Sequence, residues 1–112
     1  MSRQAAERRG RQAERMAAWL LMAKGWRIVA RRRRMPMIEV DLVARRGTML
    51  AVVEVKRRAT LEAATLAVTP MAADRLRAAA RQLAAEAGPN VSGRVDLIAL
   101  APGRWPRHIA GL

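Results

Sequence analysis

Apolar residues recur along this chain with two different periods. Residues 13–24 carry them at the i, i+3, i+4 spacing of an amphipathic helix, and Gly25 follows as a stop signal. Residues 70–87 repeat this pattern, with Thr69 as N-cap ahead of a proline and Gly88 as terminator. The inner stripe of this second helix is predicted to be Leu76, Ala80 and Leu83. Trp19 and Trp26 are expected to be core residues.

Four other segments favour strands. Alternating or continuous apolar runs rich in Val and Ile occupy residues 26–31, 37–44, 49–57 and 94–101. Residues 58–68 read as a loop. The predicted order is α-β-β-β-α-β, which indicates an α/β fold with a mixed central sheet flanked by helices. We expect a single domain over residues 1–112, with flexible tails at residues 1–9 and 102–112.

The middle two strands predict a β-hairpin that turns near Gly47. In the first strand, alternation places Val40 and Leu42 on one face and Asp41 on the other. In the second strand, Glu54 and Lys56 share a face. A turn near Gly47 sets the register of the hairpin, so that the residue numbers of two paired positions add up to about 93 to 95. In that register Asp41 lies next to Glu54.

Composition narrows the functions to consider. The chain has no cysteine and one histidine, which argues against disulfides, thiolate or histidine metal sites, and a Ser-His-Asp triad. Tryptophan supplies all the aromatic residues, so a platform of stacked Phe and Tyr rings is not expected. The formal net charge of +13 favours a polyanionic partner, most simply nucleic acid. An anionic membrane surface and the Arg bias of a GC-rich genome are the alternatives.

Acidic residues concentrate on the hairpin. Glu39, Asp41 and Glu54 are three of only nine acids, and like charges facing each other across strands are destabilising. Salt bridges to arginine would compensate, and so would a divalent cation. Mg²⁺ or Mn²⁺ takes hard oxygen ligands, and Asp41, Glu54 and the backbone carbonyl of Val55 are predicted to supply them.

Lys56 adds to this interpretation. The chain contains 20 Arg and only 2 Lys, so arginine would be the default at a generic cationic position. A lysine is a compact charge whose pKa falls when it is desolvated, so beside a metal it can position or deprotonate the attacking water. The arginines at 31–34 and at 57–58 are candidates for binding phosphates; the other interpretation is that they are solvated. They are Arg31, Arg32, Arg33, Arg34, Arg57 and Arg58.

These motifs resemble those of a known superfamily. Asp41 followed by Glu54-Val55-Lys56 looks like the D…ExK core of PD-(D/E)XK nucleases. More narrowly, residues 8–101 resemble the YraN-like family of uncharacterised bacterial proteins, akin to archaeal Holliday-junction resolvases. The further matching residues are Gly10, Glu14 and Ala17, the run 38–43, the run 52–58, Val68-Thr69-Pro70 and Arg94-Val95-Asp96.

The resemblance implies a restriction-endonuclease-like fold with an active-site quartet of Glu14, Asp41, Glu54 and Lys56, and Glu39 as an auxiliary acid. Glu14 would then be an auxiliary ligand or would orient water; otherwise it is a surface glutamate of the helix. The chain departs from the family pattern at three places. Ile38 stands where the family has Gly, the usual Arg-Asn pair is absent among residues 31–34, and a Lys near the start of the second helix is replaced around Met71 and Ala72. The missing Lys and Gly concern substrate contacts and loop geometry.

Three functions remain open at this point. The first is a Mg²⁺- or Mn²⁺-dependent endonuclease acting on nucleic acid, most simply branched or structured DNA. The second is a basic nucleic-acid-binding module without turnover. The third is a structural protein, and a homodimer through the hairpin or a helix is left open. No apolar run reaches the roughly 18 residues that span a bilayer, and no signal peptide is evident, so we expect a cytoplasmic protein without a membrane partner.

Overall fold

Five strands form one mixed sheet in a computed structural model that describes residues 2–112. Met1, part of the predicted N-terminal tail, lies outside the described residues. In chain order the elements are α1 (Arg3–Ala23), β1 (Arg27–Arg34), β2 (Glu39–Arg46), β3 (Met49–Arg57), α2 (Leu61–Thr65), α3 (Pro70–Ala87), β4 (Ser92–Leu100) and β5 (Arg107–Ala110).

The strands lie side by side in the order β1-β2-β3-β4-β5. Only β3 and β4 are parallel; the other neighbours are antiparallel. A parallel pair needs a crossover, and α2 and α3 provide it between β3 and β4. The predicted α/β class with a mixed sheet flanked by helices is confirmed, and the architecture is consistent with a restriction-endonuclease-like fold.

The sheet is covered on both faces. Ala13, Ala17 and Leu21 of α1 pack with Leu42 and Val53 on one face. On the other face the buried side of α3 consists of Leu76, Ala79, Ala80 and Leu83, which pack with Val40, Val43, Val52 and Val95. The predicted inner stripe of α3 is therefore confirmed. Trp26 is buried, whereas Trp19 is exposed, so the expectation that Trp19 is a core residue is wrong.

The predicted hairpin is present with the predicted register. Pairs run from Arg46–Met49 to Leu42–Val53, which gives a sum of 95, and Gly47 takes a positive φ of 61° in the turn. Continuing this register beyond the last pair places Asp41 opposite Glu54. The hairpin therefore brings the two acids to the place where β2 and β3 stop pairing.

The structure departs from the predictions in both predicted tails and in the predicted loop of residues 58–68. Ser2 caps α1 by accepting a hydrogen bond from the Ala5 amide, so the helix covers residues predicted as a tail. Thr60 caps the short α2 inside the predicted loop. Residues 107–110 form β5, which pairs with β4, within the predicted C-terminal tail.

Buried Asp96 explains why the end of the chain forms a strand. Its carboxylate accepts two hydrogen bonds from Arg94, one from the Gly111 amide, and lies 2.8 Å from Nε2 of His108. Nδ1 of His108 lies 2.8 Å from Nζ of Lys24. His108 thus joins β5 to β4. Such contacts are long-range and leave no periodic signal.

No helix within residues 2–112 is long and apolar enough to cross a bilayer.

Candidate functional site

Asp41 lies where the pairing of β2 with β3 ends. Its Oδ2 accepts a hydrogen bond of 2.8 Å from the backbone amide of Val55. Between the turn and this point, the two strands pair regularly, and the last pair is Leu42–Val53. The Asp41 carboxylate therefore replaces the next strand-to-strand bond, which fixes this side chain against the open edge of β3.

The pleat of β2 is interrupted at this residue. Val40 packs on the α3 side of the sheet, whereas Leu42 packs on the α1 side, so the prediction that they share a face is wrong. The interruption faces Arg32, which lies between the pairs Arg31–Leu42 and Arg33–Val40 and has a φ of 50°. This left-handed conformation is uncommon for residues other than Gly and Asn.

Glu54 is one of two buried charged residues within residues 2–112, with 7% of its surface exposed. Burial raises the pKa of Glu54 to about 8, and the hydrogen bond with Asp41 and its negative charge act in the same direction. Lys56 and the backbone of Val55 oppose this shift. At neutral pH Glu54 therefore keeps its proton beside Asp41.

A cavity of about 620 Å³ opens beside this pair. Asp41, Val55 and Lys56 line it from the sheet, and Glu14 lines it from α1. Lys56 is half-buried. The structure thus brings Asp41, Glu54 and Lys56 close together. Asp41 and Lys56 line the cavity opposite Glu14, whereas Glu54 is buried behind them and does not line it.

Glu14 has a partner of its own. Nε of Arg32 lies 3.2 Å from Oε1 and 3.1 Å from Oε2 of Glu14. The hydrogen bond and charge of Glu14 raise the pKa of Arg32, and Glu39 and Asp41 add smaller contributions. Arg32 was predicted as a phosphate ligand; the structure instead commits it to an acid of the candidate site.

Glu39 does not join the acidic pair. It is exposed, and the charges that shift Glu54 are those of Asp41 and Lys56. Within residues 2–112 no three His, Cys, Asp or Glu side chains converge to hold a metal ion. The predicted patch of three carboxylates is therefore reduced to two, and any ion held here would need further oxygen ligands from water, backbone or phosphate.

The remaining arginines divide between two places. Arg57 and Arg58 line the cavity, with their side chains exposed. Arg31, Arg33 and Arg34 are exposed along β1, which lies at one edge of the sheet. The cavity therefore has a basic rim beside its acidic floor, which suits a phosphate group approaching a cation.

Sequence reasoning missed part of the cavity wall. Ala6 and Arg9 line it from the part of α1 that was predicted as a tail, and Gly10 lies next to them. Continuing the helical spacing backward from Ala13 and Glu14 would have placed Gly10 and Ala6 on the same face. The missing signal was apolar periodicity, because this part of α1 is polar and exposed.

Comparison with known proteins identifies relatives of similar length. A model described as "Uncharacterised protein family UPF0102" matches residues 13–100, a span that includes Glu14, Asp41, Glu54 and Lys56. The UPF0102 protein of Sphingopyxis alaskensis is 52% identical over 110 residues, covering 97% of this chain and 95% of that protein. That of Caulobacter vibrioides is 53% identical over 107 residues, covering 94% and 86%. That of Brucella canis is 51% identical over 106 residues, covering 90% and 82%.

Proposed function

The chain belongs to the uncharacterised protein family UPF0102, which confirms its YraN-like resemblance, and we propose that it is a nuclease that hydrolyses phosphodiester bonds with a divalent cation at Asp41 and Glu54. The observation that carries this proposal is the acidic pair itself. A buried glutamate that keeps a proton at neutral pH beside a second carboxylate is unfavourable for folding, and it is a feature of functional sites.

The donor set suits Mg²⁺ or Mn²⁺. Mg²⁺ is usually held by one or two carboxylates, with waters and substrate phosphates completing its shell, so a pair of acids is sufficient. The Val55 amide points at Asp41, and the amide and carbonyl of one strand residue face the same edge. This supports the predicted role of the Val55 carbonyl as a ligand.

The cation, when bound, would polarise the phosphodiester and lower the pKa of a nearby water. The chain's own residues would do the rest. Lys56 lies in the same cavity and its charge acts on Glu54, so its ammonium is suited to stabilise charge on the phosphoryl oxygens or to hold the attacking water. Arg57 and Arg58 at the rim would bind the flanking phosphates.

One observation favours the second candidate, a nucleic-acid-binding module without turnover. Arg32 pairs with Glu14 and adds positive charge near Asp41, which opposes cation binding. On this alternative the basic rim binds phosphates and Glu54 stays protonated. The two candidates differ in metal dependence, because counter-charge from arginine alone supports binding without a cation.

Cleavage by the purified protein tests the proposal. A panel of single-stranded, duplex, flap and four-way-junction substrates, in DNA and RNA, is incubated with Mg²⁺, Mn²⁺ or EDTA. We expect metal-dependent products that Asp41→Asn and Lys56→Ala reduce by at least about 100-fold. Asp74→Asn, an exposed acid of α3, is the matched control and keeps full activity. Salt-sensitive binding with no cleavage of any substrate would support the binding module instead.

A further inference from the structure

One helix carries an apolar stripe that no other element within residues 2–112 covers. Met16, Trp19 and Met22 follow one another at i, i+3 spacing on α1, and they are 51%, 72% and 44% exposed. The sheet buries the opposite side of the same helix. Single exposed apolar residues are ordinary, but a stripe that includes a tryptophan marks a surface with a ligand or partner.

Met16 and Trp19 form one wall of a groove of about 540 Å³. The other wall is the last residue of β4, Leu100, and the loop that follows it, residues 101–104. Of the residues that the structure describes, three arginines line the groove, Arg15, Arg57 and Arg104, and no acidic residue does. None of the three guanidinium groups forms an ion pair within residues 2–112. An apolar floor with a cationic rim suits a ligand that is flat and aromatic and carries negative charge.

The groove continues into the cavity that holds Asp41 and Lys56. Ala13, Arg57 and Pro102 line both. A ligand can therefore occupy the two together, with its anionic part at the basic rim near Lys56 and its aromatic part against Trp19. In a nucleic-acid strand, a phosphate and the base of a neighbouring nucleotide are joined in just this way.

We propose that this groove binds an unpaired nucleobase stacked on Trp19, next to the phosphate held at the Asp41–Glu54 site. The inference rests on the proposed function and gives it a substrate class. A base inside a duplex cannot leave its stack without an energetic cost, whereas a single strand, flap or junction arm offers one already free. Stacking on tryptophan is tolerant of base identity, so selection would be for structure rather than sequence.

A second copy of the chain is a poorer occupant of this groove. Each copy carries a formal net charge of +13, and a symmetric contact on α1 would bring two sets of Arg15, Arg57 and Arg104 together. Like charges at an interface disfavour association. A strand of nucleic acid instead supplies the opposite charge.

Binding without metal tests the inference independently of hydrolysis. The full chain is titrated, in EDTA, into a labelled single-stranded oligonucleotide and into a blunt duplex of the same sequence, with anisotropy as readout. Trp19→Ala should weaken single-strand binding about tenfold and change duplex binding by less than about twofold. Trp19→Phe should restore most of the loss. Trp105→Ala, an exposed tryptophan that does not line the groove, should behave as wild type. The same titration with an RNA oligonucleotide of matching sequence shows whether the groove prefers DNA or RNA.

The outcomes separate this inference from the proposed function. Asp41→Asn removes a proposed metal ligand, so it should stop cleavage yet keep Trp19-dependent binding. Equal loss for single strand and duplex, or no loss in Trp19→Ala, would overturn the inference. So would a wild-type dimer that Trp19→Ala converts to a monomer with unchanged nucleic-acid affinity. Cleavage that fails in wild type while Trp19-dependent binding persists would remove only the hydrolytic proposal.

Discussion

Nε of Arg32 lies within 3.2 Å of both carboxylate oxygens of Glu14, and this pair joins β1 to α1 beside the candidate site. Glu14 is the less exposed partner, with 16% of its side chain accessible against 45% for Arg32. The consequence is electrostatic. An acid that the family resemblance assigns to the active site is already neutralised by a cation that also acts on Asp41.

Replacing Arg32 should therefore favour a metal ion. In Arg32→Asn the guanidinium is lost, while asparagine tolerates the left-handed conformation at this position. We expect Mn²⁺ affinity to rise about three- to tenfold, because one positive charge near the cation is removed and Glu14 is released. Stability should change by less than about 1 kcal/mol, as for other partly exposed pairs.

Arg33→Asn is the matched control for that change, since Arg33 is an exposed neighbour on the same strand. It should leave Mn²⁺ affinity within about twofold. A loss of affinity in Arg32→Asn would show that Arg32 supports the site rather than opposing it. Calorimetric titration of the two variants and wild type decides between these results.

Metal binding should depend on pH because the acidic pair holds a proton. The pKa of Glu54 is about 8, so below that pH a cation must displace one proton, and affinity should rise about tenfold per pH unit before levelling off. Calorimetry at pH 7 in two buffers of different ionisation enthalpy should report close to one proton released. Affinity that is constant between pH 6 and 8 would mean that the pair is not protonated.

The same shift predicts an unusual stability profile. The pKa of Glu54 rises from 4.5 in the unfolded chain to about 8 in the fold, so the folded state binds more protons between these values. Stability therefore falls as pH rises through this window. Glu54→Gln stays uncharged throughout, and at pH 9 it should be more stable than wild type by roughly 2 to 4 kcal/mol. Urea denaturation of both proteins at pH 5 and pH 9 checks this, and an unchanged difference between them would contradict it.

Much of the site follows from local sequence. The hairpin rests on alternation and a glycine turn, both properties of neighbouring residues, and these fix the register that brings Asp41 to Glu54. Because the chain contains 20 Arg and only 2 Lys, Lys56 could be recognised from the sequence as a candidate for the site. Three features were beyond such reasoning. The exposure of Trp19 depends on how much of α1 the sheet covers. The interruption of the pleat at Asp41 depends on the conformation of Arg32, and the formation of β5 depends on contacts with Asp96.

Asp96 anchors the C-terminal strand, and its loss should be costly. It is fully buried and its carboxylate contacts Arg94, His108 and the Gly111 amide. Asp96→Ala would leave a half-buried guanidinium without its partner, so we expect a loss of about 3 to 5 kcal/mol in the free energy of unfolding. Asp74→Ala, which breaks an exposed pair on α3, should cost less than about 1 kcal/mol. Equal costs in denaturant titrations would show that the Asp96 network adds no stability.

The central claim is that Asp41 and Glu54 hold a divalent cation, and electron paramagnetic resonance of Mn²⁺ tests it most directly. The six-line signal of free Mn²⁺ should diminish on titration with wild type at pH 8, with one ion lost per chain. Asp41→Asn should leave the free signal nearly unchanged, while Asp74→Asn should match wild type. Equal loss of signal with Asp41→Asn and wild type, or no loss with either, would contradict the account.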